Sequence, residues 1–70
     1  MTNGADLKQA IIDSGVSITF LANRMGCSRN RIYAIIDGAE CTASEITELS
    51  KLLHLTKAKR DHIFLSEVVN

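Results

Sequence analysis

The amino-acid sequence predicts an all-α fold, a compact five-helix bundle, from three observations. Five segments place apolar residues at the i, i+3, i+4 spacing of an amphipathic helix, and each follows an Asn, Ser or Thr that can cap a helix N-terminus. No segment shows the sustained alternation expected of a half-buried strand. The 70 residues include no proline to interrupt a helix, and their number suits one domain over 1–70.

The first helix is predicted over about 4–14. Asn3 can cap its N-terminus, and Gly15 follows its last turn as a stop signal. The residues predicted to form its buried face are Leu7, Ala10 and Ile11.

Residues 17–38 predict a helix-turn-helix, in which two short amphipathic helices are joined by a tight turn at Gly26-Cys27. Ser17 and Ser28 are the expected N-caps, and Gly26 is expected to adopt a left-handed conformation that costs glycine little. The predicted core faces are Ile18, Leu21, Ala22 and Met25 in the second helix, and Ile32, Ile35 and Ile36 in the third.

Two further helices follow. The fourth begins with a capping box, Thr42-Ala43-Ser44-Glu45, and Thr56 is the expected cap of the fifth, which runs to about Leu65. The residues predicted to be buried are Ile46, Leu49, Leu52 and Leu53 in the fourth helix, and Ile63 and Phe64 in the fifth.

Charge is distributed unevenly, although the net charge is zero. Arginines 24, 29 and 31 lie within residues 14–36, a stretch that contains no Asp or Glu. A local basic face of this kind can hold phosphates, though with weak non-specific affinity. A second basic cluster, Lys57, Lys59 and Arg60, is interpreted as the solvated start of the fifth helix.

The third helix has the residues expected at a nucleic-acid surface. Its first positions, Arg29 and Asn30, are where a recognition helix reaches the base edges of a major groove. Arginine can bind guanine, and asparagine adenine, through two hydrogen bonds each. Tyr33 suits a thymine methyl group or a phosphate, Ala34 offers a methyl contact, and Arg31 is expected to grip the phosphate backbone.

Other interpretations remain open for these residues. The arginines can simply be solvated, and Tyr33 can be a half-buried residue at the rim of the core.

The N-terminus of the second helix, around Ser17 to Thr19, can hold a further phosphate through its free N–H groups.

Residues 7–65 resemble the Cro/repressor-type helix-turn-helix domains, also called Xre-like or lambda-repressor-like. The resemblance rests on LANRMGCSRNRIYAIIDG, and TASEITELSKLLHLTKAKRDHIF is similar to the last two helices of small Cro-like regulators from phages of Gram-positive bacteria. It implies a five-helix DNA-binding repressor that binds palindromic operators as a homodimer. It also implies that bases or phosphates are contacted by Thr19, Ser28, Arg29, Asn30, Arg31, Tyr33 and Ala34. Ile18 and Asp37 depart from the family, which often has Gln and Asn there.

An alternative function is an antirepressor or modulator that binds another transcriptional repressor. The zero net charge and Asp37 favour it, as does an excess of apolar residues, Phe20, Leu65, Val68 and Val69, over what one small core holds. Segment 65–70 is then a candidate interaction tail, which could equally form a homodimer or cover its own bundle.

Other functions have little support in the sequence. We expect no enzyme, because there is no nucleophile-base pair, glycine-rich phosphate loop or carboxylate pair. No metal or cofactor is expected, since His54 and His62 are eight residues apart and Cys27 and Cys41 read as reduced structural thiols. Without an apolar run of about 18 residues or a signal-peptide pattern, the chain is expected to be cytoplasmic.

Overall fold

The computed structural model describes residues 2–65 and contains five α-helices within that range, with no strand among those residues. The helices are α1 (Gly4–Ser14), α2 (Ile18–Met25), α3 (Arg29–Ile36), α4 (Ala43–Leu52) and α5 (Lys57–Phe64). The prediction of an all-α fold is confirmed. The predicted tail residues Val68 and Val69 lie outside the described residues.

All five predicted N-caps are present. Each capping residue has an extended backbone, and its side-chain oxygen accepts a hydrogen bond from the backbone N–H three positions later. The capping box of α4 is complete, because Glu45 Oε1 also accepts from the N–H of Thr42 at 2.9 Å. These bonds satisfy N–H groups that a helix leaves without partners in its first turn.

The core lies where the five apolar faces meet. α1 packs against α3 and α5, α2 packs against α3 and α4, and α4 packs against α5. The fully buried large side chains are Leu7, Leu21, Ile32, Ile35, Leu49 and Ile63. Of the other predicted core residues, Ile11, Ala22, Leu53 and Phe64 are buried, and Ala10, Ile18, Met25, Ile36, Ile46 and Leu52 are partly buried against them.

The N-terminal segment is attached to the bundle by contacts that the sequence did not predict. Thr2 is buried and its hydroxyl donates to the thiol of Cys41, while the N–H of Asn3 donates to the carbonyl of Ile63 at 2.6 Å. These contacts join residues that are about 40 and 60 positions apart in the chain. The first holds Thr2 against the loop before α4, and the second holds the start of α1 against the end of α5.

The end of α4 is a turn that the sequence did not predict. His54 has a left-handed backbone, with φ of 54°, and the next N–H, that of Leu55, donates to the carbonyl of Ser50 at 2.9 Å. Together with a bond from His54 N–H to the carbonyl of Lys51, this is a Schellman motif in which histidine takes the position usually held by glycine. Because position 54 is a histidine and not a glycine, the sequence gives no signal for this turn.

Candidate nucleic-acid interface

The turn between α2 and α3 is built as the sequence predicts. Gly26 has φ of 69°, and the following N–H, from Cys27, donates to the carbonyl of Ala22 at 3.0 Å. Ser28 then caps α3 by accepting from the N–H of Arg31 at 3.1 Å. Ala22 is buried, and its small side chain allows α2 and α3 to approach each other closely.

The two sides of α3 differ sharply in exposure. Ile32 and Ile35 are completely buried, whereas Arg29 and Asn30 are exposed and Tyr33 is 51% exposed. The isoleucine stripe therefore faces the core and the predicted base-reading residues face solvent. Of the remaining predicted contact residues, Thr19 and Ser28 are exposed and Ala34 is half-buried.

Arg31 is held within the molecule. Its Nε donates to Glu45 Oε2 and its Nη2 to Glu45 Oε1, both at 2.8 Å, and Nη2 also donates to the carbonyl of Glu40 at 2.8 Å. The side chain of Arg31 is 33% exposed and that of Glu45 is 19% exposed. The guanidinium thus joins α3 to α4 through a two-pronged ion pair.

This contact corrects the prediction of a basic face free of acids. No acid lies near Arg31 along the chain, but α4 places the carboxylate of Glu45 directly against it. The pairing could not be predicted from the sequence, because 14 residues separate the partners and the only local signal at Glu45 is its role in the capping box. A phosphate gripped by the same Nε–Nη2 fork of Arg31 would have to displace this carboxylate.

The ion pair shifts the acid-base equilibria of both partners. Hydrogen bonding to Arg31, with further bonding from Thr42, lowers the pKa of Glu45 from 4.5 to about 2. The hydrogen bond to Glu45 likewise raises the pKa of Arg31 above its ordinary value. Both groups are therefore charged throughout the neutral pH range, and their charges cancel locally.

The other two arginines of the segment have different surroundings. The guanidinium of Arg24 lies over the ring of Phe20, 5.5 Å from the centroid, in a cation–π arrangement within α2. Phe20 is 38% exposed, so this pair forms part of the molecular surface. Arg29 remains exposed at the first turn of α3.

The second basic cluster has carboxylate neighbours. Asp61 accepts from Nε and Nη2 of Arg60 at 3.2 Å and lies 4.0 Å from Nζ of Lys57. Lys59 lines a cleft of about 220 Å³ between the end of α1 and the loop before α5. Lys57 and Lys59 are nevertheless exposed, which agrees with interpreting this cluster as the solvated start of α5.

The histidines and Cys41 lie outside α2 and α3, whereas Cys27 lies in the turn between these helices. His62 pairs with Asp6 on α1, and His54 lies in the turn after α4. Cys27 and Cys41 are free, half-buried thiols, and burial raises the pKa of Cys41. Within residues 2–65, no three His, Cys, Asp or Glu side chains converge as metal ligands, and none of the described helices has the length and apolarity needed to cross a bilayer.

Comparison of the chain with protein-family models, with curated proteins and with solved structures finds no match in any of the three.

Proposed function

We propose that this protein is a sequence-specific regulator of transcription that binds double-stranded DNA through α2 and α3, as a lambda-repressor-like helix-turn-helix domain. The observation that supports this most directly is the two-sided character of α3. Ile32 and Ile35 anchor it in the core, and Arg29, Asn30 and Tyr33 project outward from its opposite side. A helix anchored on one side in this way can enter a major groove with the other.

Each exposed residue has a role in this proposal. Arg29 binds guanine and Asn30 binds adenine, each through two hydrogen bonds. Tyr33 contacts a thymine methyl group or a phosphate, and Ala34 allows close approach. Around Thr19, the N-terminus of α2 directs its free N–H groups at a phosphate.

The operator, in this proposal, is palindromic and is bound by two copies of the chain in a cytoplasmic setting such as a phage-infected bacterium. A single copy offers little charge to the DNA backbone, since the net charge is zero and Glu45 neutralises Arg31. Two copies on adjacent half-sites double the contacts, which is the usual arrangement of helix-turn-helix proteins.

The decisive experiment is selection of bound duplexes from random oligonucleotides, followed by affinity measurements on the selected sequence. We expect a palindromic consensus, and we expect Arg29→Ala to lose roughly 1–3 kcal/mol of discrimination at one base pair of each half-site. Lys8→Ala, which removes the same charge from an exposed position on α1, is the matched control and should leave the consensus unchanged. Recovery of no preferred sequence at low salt would contradict the proposal.

A second candidate function is supported by the exposed apolar side chains. Ile12 is 60% exposed and Leu65 is 55% exposed, in addition to Phe20 on α2. Because Glu45 neutralises Arg31, the α3 surface also offers less charge to DNA. The alternative to direct DNA binding is a modulator that binds another transcriptional repressor. Nuclease-resistant co-purification with such a repressor, lost on Phe20→Ser but kept on Arg29→Ala, would favour this function over direct DNA binding.

A further inference from the structure

The Arg31–Glu45 pair occupies the part of Arg31 that would otherwise bind a phosphate. Guanidinium groups bind carboxylates and phosphates in the same way, with two parallel N–H donors in a fixed fork. Nε and Nη2 of Arg31 are both bonded to Glu45, and Nη2 is also bonded to the carbonyl of Glu40. A DNA phosphate bound in two-pronged fashion by Nε and Nη2 would have to compete with these three bonds.

Glu45 is itself held in place. It is the third residue of α4, and its Oε1 accepts from the N–H of Thr42 as well as from Arg31. The carboxylate is therefore fixed by the start of α4 and does not rely on Arg31 for its position. A rigid acceptor competes more effectively than a mobile one, because little conformational entropy is lost when the pair forms.

We infer that Glu45 limits the DNA affinity of this domain by withholding Arg31 from the phosphate backbone. The inference rests on the proposed DNA-binding function and adds a determinant of affinity that lies outside the helix-turn-helix. It predicts that loosening Glu45 strengthens binding to DNA of any sequence, because phosphates carry no sequence information.

The test measures binding of the full chain to a duplex of mixed sequence as the salt concentration is varied. Glu45→Gln keeps the capping box, since glutamine serves at this position, but removes the charge that holds Arg31. One new phosphate contact per copy steepens the salt dependence by about 0.9 log units per log unit of salt. If the contact acts only through counterion release, affinity rises roughly fifteenfold at about 50 mM salt and roughly fourfold at about 200 mM.

Three companion variants separate this effect from others. Glu48→Gln makes the same change of net charge one turn along α4 and is expected to produce a much smaller gain. Glu45→Asp leaves the net charge at zero but shortens the side chain, so a gain there reports a loosened grip alone. Arg31→Gln combined with Glu45→Gln is expected to abolish the gain, because no guanidinium remains to be released.

The outcomes distinguish this inference from the function on which it rests. If the wild-type protein binds DNA and Glu45→Gln resembles Glu48→Gln, the inference is wrong and the proposed function stands. If neither the wild-type protein nor Glu45→Gln binds DNA at low salt, both are wrong. Circular dichroism checks folding in each case, and if Glu45→Gln does not fold, an unchanged affinity of folded Glu45→Asp overturns the inference.

Discussion

The contact between Gly4 and the end of α3 predicts that Gly4→Ala destabilises the protein. Helix propensity alone would predict the opposite, that alanine is stabilising. Gly4 is the first residue of α1 and lies directly against the carbonyl of Ile36. A Cβ at position 4 would lie 1.7 Å from that oxygen and 2.7 Å from its carbon, whereas ordinary contacts begin at 3.4 Å. Because both atoms are backbone, the helices must separate to admit a methyl group.

Gly4→Ala is therefore expected to destabilise the protein. Alanine favours a helix interior over glycine by about 1 kcal/mol. Overpacking, however, costs roughly 1–3 kcal/mol and sometimes more, and an obstacle made of backbone atoms places this site at the upper end of that range. Separation of α1 from α3 would also loosen the packing of Leu7, which is completely buried. We expect a net loss of about 2 kcal/mol, or roughly 12 °C in Tm for a domain of this size.

The assay is thermal and urea unfolding followed by far-ultraviolet circular dichroism. Gly15→Ala is the matched control, because Gly15 has φ of 75° but no atom lies within 4 Å of the point that a Cβ would occupy there. That variant should lose only about 1 kcal/mol, from the left-handed backbone alone. A Gly4→Ala protein as stable as the wild type, or more stable, would refute the close approach of α1 to α3.

Three further predictions concern acidity, the end of α4 and the two sides of α3. Because the folded-state pKa of Glu45 is about 2 against an ordinary value of 4.5, its ionisation stabilises the fold above pH 4.5, and this contribution is lost as the pH falls toward 2. Solvent screening reduces it to about 1 kcal/mol, and urea unfolding across this pH range should show the loss in the wild type but not in Glu45→Gln. His54→Gly should raise stability by roughly 0.5 kcal/mol, since relief of the left-handed strain exceeds the added entropy of the unfolded chain; a lower urea midpoint would contradict this. Ile35→Ala should lose about 2–5 kcal/mol and Tyr33→Ala less than about 0.5 kcal/mol, as checked by urea unfolding, and similar losses would contradict the assigned faces of α3.

The features that sequence reasoning predicted correctly are those encoded within one or two helical turns. The cap of α3 needs only Ser28 and the N–H three residues later, and the stop of α2 needs only Gly26. Apolar spacing then identifies the inward face of each helix, because an amphipathic helix gains most of its stability by burying that face. Five helices and most of the core follow from such local rules.

The features that sequence reasoning missed depend on residues brought together only by folding. The close approach of Gly4 to Ile36 and the bond from Asn3 to Ile63 are not signalled by any periodicity or motif in the sequence. For the candidate interface, the outward direction of Arg29 and Asn30 could be predicted from the wheel of one helix. The local electrostatics could not be predicted in this way, because the carboxylate that pairs with Arg31 belongs to Glu45 on α4.

Glu45 connects the stability of the fold to the chemistry of its surface. The same carboxylate completes the capping box of α4 and neutralises Arg31 on α3, so a substitution that frees Arg31 also removes an ion pair between two helices. In the wild type, that ion pair stabilises the bundle while neutralising a partly exposed cationic group. Variants that release Arg31 should therefore bind phosphate more strongly and unfold more easily, with the two effects increasing together. A series at this position in which tighter DNA binding accompanied greater stability would show that Arg31 and Glu45 are not coupled in this way.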